Sequence, residues 1–152
     1  MNSFDENAPV EYDQLCRREQ ERLSTLRLHL IESHPFWGYL LLQMKMVFQA
    51  DLPSVAATDC LRYIWFNPVL TSRLPTQQLG FVVLHEVCHS VFASIERRGS
   101  RNQHRWNCAT DYAINRIVSK IEVPGSLNSR RLYEIPKIVI DGREQKILLD
   151  PK

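Results

Sequence analysis

Apolar and polar positions in the first third of the chain repeat with a helical period and then change to a strand-like pattern. Residues 11–32 predict an amphipathic helix, because arginines and glutamates separate leucines at helical spacing: Leu15, Leu23, Leu26 and Leu30. Pro35 ends this helix, since a residue that precedes proline avoids helical dihedral angles. The next stretch, PFWGYLLLQMKMVFQ, predicts a short helix in its first half and a strand in its second half.

Two further regions have the β-rich composition of strands separated by turns. Residues 53–67, PSVAATDCLRYIWFN, contain runs at about 54–58 and 61–66 around Asp59-Cys60, which predicts a hairpin or meander that ends at Asn67-Pro68. The tail LYEIPKIVIDGREQKILLD contains two more runs around Asp141-Gly142, a dipeptide that favours a tight hairpin turn.

Two long helices are predicted between these strand regions. The segment LPTQQLGFVVLHEVCHSVFASIERRGS predicts a helix that starts near Thr76 and stops at Gly99. Asn102 can cap a second helix over residues 103–121. Its predicted core face consists of apolar residues at helical spacing: Trp106, Ala109, Ala113, Ile117 and Ile121. The order of elements indicates an α+β domain, with a small mixed or antiparallel sheet packed on the two helices and a C-terminal hairpin.

Composition and charge are those of a soluble globular domain. The chain has 152 residues, of which 44% are hydrophobic and 24% charged, and its formal net charge is +2. This length predicts one domain, which we assign to residues 11–152, after a flexible N-terminus at residues 1–10. Short arginine clusters occur without an aromatic–basic stacking pattern or a reading helix, so we expect no nucleic-acid partner.

The cysteines and the N-terminus bear on the compartment. The four cysteines form no C-x-x-C pair, which argues against a cysteine zinc site, and their sparse spacing favours a reducing compartment. The acidic N-terminal sequence, MNSFDENAPVEYDQ, lacks the apolar region of a secretory signal. Charged residues interrupt every apolar stretch before it reaches the length of a membrane span, about 18 residues. We therefore expect a cytoplasmic protein without a membrane partner.

The sequence LHEVCH places three groups that are costly to bury, His85, Glu86 and His89, inside an apolar helix. Residues four apart lie on one helix face, so the two imidazoles can bind one ion, as a tetrahedral zinc site requires. Glu86 is rotated by about 100° around the helix, where it can hold a water molecule beside that ion. This is the H-E-x-x-H pattern of zinc peptidases, in which the glutamate is the general base.

The same pattern has a purely structural interpretation. It fixes only three of five positions, and a histidine on an apolar helix is commonly a core residue with a satisfied hydrogen bond. Burial of both histidines and the glutamate without a metal would leave polar groups unpaired, at a cost of several kcal/mol. We therefore predict a metal site, with Zn²⁺ as the ion.

A third protein ligand has to come from outside the motif. Glu96 lies about 10 Å further along the helix axis than His89, so it cannot reach the same ion. On the next helix the candidates are His104 and Asp111, and an antiparallel turn centred near residue 100 would place position 111 opposite position 89. This arithmetic favours Asp111, whose carboxylate could alternatively bond to a neighbouring helix or to the arginine cluster.

Several segments together resemble a known family. HPFWGYLL, LHEVCHSVFASIERRG, WNCATDYAIN and LLDPK are similar to the metallopeptidase domain at the N-terminal side of bacterial proteins that also carry a von Willebrand A-like domain. The resemblance covers about residues 11–118 and 147–152, whereas residues 119–146 look like an insertion or a divergent hairpin. Because family members continue beyond LLDPK, we expect either a fragment truncated at its C-terminus or a stand-alone version.

The resemblance implies a zincin-like fold and a zinc-dependent peptidase. His85, His89 and Asp111 would be the zinc ligands, and Glu86 would be the catalytic base. The substrate would be a peptide or protein, for which we expect the β run at residues 61–66 to provide a sheet edge. The alternative function is a non-hydrolytic, zinc-stabilised interaction domain that docks a partner domain or protein.

Three further residues match positions of the same family. They are Asn107, Tyr112 and Asn115. Tyr112 could donate a hydrogen bond to a developing oxyanion or could simply pack between helices, and the two asparagines have no role that follows from the sequence. We include all three as candidates for contacts around the metal.

Overall fold

The N-terminal helices form one side of the domain. The computed structural model describes residues 8–121 and the backbone of residues 137–140 and 143–146. Helix α1, Ala8–Ser33, begins slightly before the predicted start and buries its leucine stripe, with Leu23, Leu26 and Leu30 in the core. Helix α2, Pro35–Leu42, follows directly and has a proline in its first turn, as the sequence predicted. The two helices pack against each other.

Gly38 permits this close packing of α2 on α1. A Cβ atom at position 38 would lie 2.5 Å from the Cα atom of Ile31 and 2.6 Å from its backbone nitrogen. Backbone cannot move aside as a flexible side chain can, so a larger residue would force the helices apart. The glycine in HPFWGYLL is therefore needed for the close approach of α1 and α2.

A mixed three-stranded sheet follows the first two helices. It consists of β1, Lys45–Phe48, β2, Ala56–Thr58, and β3, Tyr63–Phe66, in the spatial order β1-β3-β2. Strand β1 is parallel to β3, and β2 is antiparallel to β3. The predicted strands are confirmed. The predicted peptide-binding edge at residues 61–66 is wrong, because both sides of β3 are already paired and the edges belong to β1 and β2.

An arginine of α1 holds the segment that leads into the motif helix. Arg22 donates hydrogen bonds to the carbonyl oxygens of Thr71, at 3.1 Å, and Leu74. Its guanidinium also lies 3.3 Å from the carboxylate of Glu19, which is buried. These bonds satisfy carbonyls at the end of helix α3, Pro68–Thr71, and fix the point from which the next helix starts.

The motif helix is shorter than the sequence predicted. Helix α4 spans Thr76–Val91, and a separate 3₁₀ turn follows at Glu96–Arg98. Ala93 has a left-handed φ of 47°, Ala93 N–H donates to Ser90 O, and Ser94 N–H donates to His89 O. This is a Schellman motif, which usually has glycine at the left-handed position. Because alanine occupies that position here, the sequence showed no glycine signal for a helix end before Gly99. The predicted helix was therefore too long.

Helix α5, Gln103–Val118, confirms one prediction and corrects another. The side chain of Asn102 caps it by accepting a hydrogen bond from Arg105 N–H at 3.1 Å. The predicted core face is wrong. The buried residues of α5 are Ile114, Asn115 and Val118, whereas Trp106 and Ile121 are half-buried and Ala109, Ala113 and Ile117 are exposed. Apolar spacing alone could not tell which of two adjacent helix faces meets α4.

The core lies between α1, the sheet and α4. Its buried residues include Ile64 and Phe66 of β3 and Leu79, Leu84 and Val87 of α4. Strands β4, Lys137–Ile140, and β5, Arg143–Lys146, pair antiparallel as a separate two-stranded sheet, as predicted. The Asp141-Gly142 turn and the LLDPK segment lie outside the described residues.

The fold is therefore α+β. None of the helices in the described part of the chain has the length and apolar character that a bilayer span requires.

Candidate metal centre

The two motif histidines point at each other from successive turns of α4. The Nε2 atoms of His85 and His89 lie 3.0 Å apart. Both side chains are largely buried, with 16% and 14% of their surface exposed. A spacing of four residues places them one above the other on the same helix face, as predicted.

Asp111 reaches the same point from α5. Its Oδ1 atom lies 3.0 Å from His89 Nε2 and 3.5 Å from His85 Nε2, while 47% of its side chain remains exposed. His104, the other candidate on this helix, is exposed, and its Nε2 atom lies instead 3.8 Å from Cys108 Sγ. The arithmetic that favoured Asp111 over His104 therefore agrees with the geometry.

An antiparallel register of α4 and α5 produces this arrangement. Asp111 contacts His89, and Asn115, four residues later on α5, contacts His85, four residues earlier on α4. The indole of Trp106 extends the same register by donating a 2.6 Å hydrogen bond to the carbonyl oxygen of Ser94. The early end of α4 makes this possible, because the chain leaves the helix just after His89 and returns as α5.

The three converging atoms have the geometry of metal ligands. Two imidazole nitrogens and one carboxylate oxygen, from His85, His89 and Asp111, lie within 4.8 Å of one another. Ligands about 2.0–2.1 Å from an ion at tetrahedral angles would be about 3.3 Å apart, close to the distances here. Three electron-rich atoms this close repel one another unless a cation or proton lies between them. The residues present therefore fit a divalent metal ion.

Asn115 fixes the orientation of His85. Its Oδ1 atom lies 2.7 Å from His85 Nδ1, and its side chain is buried. Because an amide oxygen only accepts hydrogen bonds, the proton of His85 resides on Nδ1. The lone pair of Nε2 is then directed at Asp111 and His89. An outer hydrogen bond of this kind orients a histidine ligand in many metal proteins. The sequence identified Asn115 as a candidate but gave it no role.

Glu86 lies beside the convergent ligands but outside their group. It is buried, with 8% of its surface exposed, and among residues 8–121 no group donates a hydrogen bond to its carboxylate. Burial raises the pKa of Glu86, and this effect exceeds the opposing influence of His85 and His89. A buried carboxylate without a donor is costly unless water or a ligand contacts it.

The ligands have shifted pKa values as well. Burial acts to raise the pKa of Asp111, but hydrogen bonds and charge from His85 and His89, in their protonated forms, lower it to about 2. Burial acts to lower the pKa of His85, but Asp111 and the charge of Glu86 raise it. Asp111 is therefore ionised at neutral pH, and the three ligands together supply one negative charge.

Other residues near the motif lie apart from this centre. Asn107 and Tyr112 are exposed on α5, and no hydrogen bond in the described part of the chain connects either side chain to the ligands. Glu96 is exposed in the 3₁₀ turn, consistent with its exclusion as a ligand. Cys88 is fully buried in the core, where burial raises the pKa of its thiol to about 12.

Comparison with known proteins supports the family assignment. A protein of Thermotoga maritima described as uncharacterized is 25% identical over 111 residues, which cover 70% of this chain and 28% of that relative. The chain thus spans less than a third of the relative's length. No solved structure matches. A family model matches residues 18–138, including part of the stretch in which we expected an insertion or a divergent hairpin. The chain belongs to the family described as "Putative metallopeptidase domain".

Proposed function

We propose that this domain is a zinc-dependent peptidase in which Glu86 is the general base. The observation that carries the proposal is the buried carboxylate of Glu86, which accepts no hydrogen bond from residues 8–121 and lies next to three convergent ligand atoms. A metal site that served structure alone would have no use for such a group. A water molecule held between the ion and the Glu86 carboxylate would fill the open coordination position and donate a hydrogen bond to the carboxylate.

Zinc fits the ligand set best. His85, His89 and Asp111 offer two imidazole nitrogens and one carboxylate oxygen, a combination that borderline-soft Zn²⁺ accepts and that leaves a fourth tetrahedral position open. When bound, zinc polarises a substrate carbonyl and lowers the pKa of its water to about 7. The partial exposure of Asp111 supports access from solvent to this position.

Glu86 would move the proton during hydrolysis. The water oxygen forms a bond to the carbonyl carbon of the peptide while Glu86 takes one water proton. The carboxyl group then donates that proton to the nitrogen as the C–N bond breaks, so that the products are a carboxylic acid and an amine, which exchange a proton at neutral pH. Burial raises the pKa of Glu86, and the raised pKa makes the carboxylate a better proton acceptor.

The free edge of β2 is the best candidate for binding an extended peptide. Asp59 N–H donates to Tyr63 O and Asn67 N–H donates to Val55 O, so odd-numbered residues of this strand face β3. Ala56 and Thr58 therefore direct their backbone groups away from β3, towards an edge that no described strand occupies. On this edge the Ala56 carbonyl oxygen accepts a 2.8 Å hydrogen bond from the Ser54 hydroxyl, which an added peptide would displace or share. Because β2 also contacts α4, a peptide added there would run close to the motif helix.

The test is a Glu86→Gln variant assayed on generic peptide substrates with zinc bound. We expect stoichiometric zinc in both proteins, turnover by the wild type, and a loss of at least about 100-fold in kcat for the variant. Glu96→Gln, a change of the same chemistry at an exposed site, is the matched control and should retain full activity. Equal activity of Glu86→Gln and wild type would refute the role of Glu86.

A second candidate function is a zinc-stabilised interaction domain. The observation in its favour is that the ligands come from both α4 and α5, so an ion would link the two helices. The same experiment separates the two functions. A wild type without turnover on any peptide, together with a large fall in Tm on chelation, would support the interaction domain.

A further inference from the structure

An apolar groove runs along the outer flank of α5, away from the metal centre. It has a volume of about 310 Å³ and lies between α5 and the segment that follows α4. Its lining residues include Phe92, Ser94, Trp106, Ala109, Ala113 and Ile117. Most of the stripe that the sequence predicted as a core face lies here, yet Ile117 remains 38% exposed. A helix face with core-like spacing is thus left uncovered by residues 8–121.

We propose that the β4–β5 hairpin of this chain, Lys137–Lys146, occupies the groove. The hairpin forms its own two-stranded sheet and has no strand partner in the larger sheet. Two strands alone are marginally stable in water and require a hydrophobic surface or a helix to pack against. The sequence of β4, KIVI, has three consecutive apolar residues. A helix face left uncovered by residues 8–121 and an apolar strand sequence on the same chain complement each other.

The chain is long enough to make this contact. Helix α5 has 16 residues and is about 24 Å long. The 15 residues from 122 to 136 can span up to about 50 Å, so the hairpin can return along the whole helix. The groove between Trp106 and Ile117 extends about 16 Å along the axis, and a four-residue strand is about 13 Å long.

Hydrogen–deuterium exchange of the full chain tests this docking. We expect the amides of residues 137–146 to exchange at least about 10-fold more slowly in the wild type than in Ala113→Glu, which places a carboxylate in the groove. Ala109→Glu is a second groove variant and should give the same loss of protection. Both positions are exposed in the described structure, so both variants should fold, as circular dichroism can verify.

The matched control is Arg116→Glu, an exposed charge change on α5 outside the groove lining, which should leave hairpin exchange unchanged. Three outcomes would overturn the proposal. The hairpin amides could exchange freely in the wild type, or stay protected in both groove variants. Protection could instead rise with protein concentration, which would identify a second copy as the occupant.

Discussion

The Nδ1 atom of His85 donates a 2.7 Å hydrogen bond to Oδ1 of Asn115, and this bond joins the motif helix to α5. It lies one helical turn from the contact between His89 and Asp111, so the two contacts together set the register of the helices. The amide therefore performs two tasks. It stabilises the helix pair, and it presents the Nε2 lone pair of His85 to the ligand position.

Replacement of Asn115 by alanine should weaken metal binding without removing any ligand. His85 would lose the acceptor that holds its ring, and we expect zinc affinity to fall by about 10–100-fold. Competition with a chromogenic chelator measures this change. Asn115→Asp retains an acceptor and should bind zinc normally, and Asn107→Ala is the control on an exposed asparagine of α5. An Asn115→Ala protein with wild-type affinity would contradict the role of this bond.

The free edge of β2 predicts a pattern of backbone recognition in substrates. A peptide that adds to this edge uses alternate backbone amides to bond with Ala56 and Thr58. Methylation of one such amide nitrogen, away from the scissile bond, should raise KM at least about 10-fold, whereas methylation of the adjacent amide should have little effect. A scan of singly N-methylated peptides measures both. Uniform KM values along the scan would argue against strand addition.

Ala93 is an expected site of stabilisation. Its left-handed φ of 47° is strained for a residue with a Cβ atom, and Ala93→Gly should raise the free energy of unfolding by about 0.5–1 kcal/mol. Ala109→Gly is the matched control, since the same change at an exposed position within α5 should lower stability by about 1 kcal/mol. Urea denaturation of the three proteins compares them. Equal losses for both variants would show that the left-handed position has no preference for glycine.

Asp59 predicts acid sensitivity in the turn between β2 and β3. Partial burial acts to raise its pKa, but hydrogen bonds to its Oδ1 from the backbone N–H groups of Leu61, Arg62 and Tyr63 lower it. A depressed pKa in the folded state contributes stability that is present above the unfolded pKa, about 3.9, and is lost as pH falls through the folded pKa. The lowered pKa of Asp59 therefore predicts that acid destabilises the folded protein.

The Asp59→Asn variant tests this predicted loss of stability in acid. Its amide oxygen can still accept the three N–H bonds but does not titrate. Between about pH 5 and pH 3, the free energy of unfolding should fall more steeply in the wild type than in the variant. Parallel pH profiles would show that Asp59 makes no such contribution.

The elements of the fold were largely predictable from local pattern. Leucines at helical spacing predicted α1, a proline marked its end, and β-rich runs around Asp59 predicted β2 and β3. The end of α4 was not predictable in the same way, because Ala93 carries no glycine signal and adopts its strained φ within a Schellman motif. The pattern also could not predict which face of α5 is buried, since apolar residues occupy two of its faces.

For the site, the sequence by itself determined which side chains share a face of the motif helix. It placed His85 and His89 on one face of a helix, set Glu86 beside them, and gave Asp111 as the residue opposite across a short antiparallel turn. The placement of His85, Glu86 and His89 holds because helix geometry is local and nearly invariant. The placement of Asp111 depended in addition on an antiparallel return of α5, which its contact with His89 bears out.

Only the tertiary structure decided the rest. It gave Asn115 its contact with His85, made β3 the central strand instead of an edge, and left the apolar stripe around Ala113 facing outward. Each of these depends on how two separate elements meet. Packing between elements is set by the whole core at once, and no single segment encodes it.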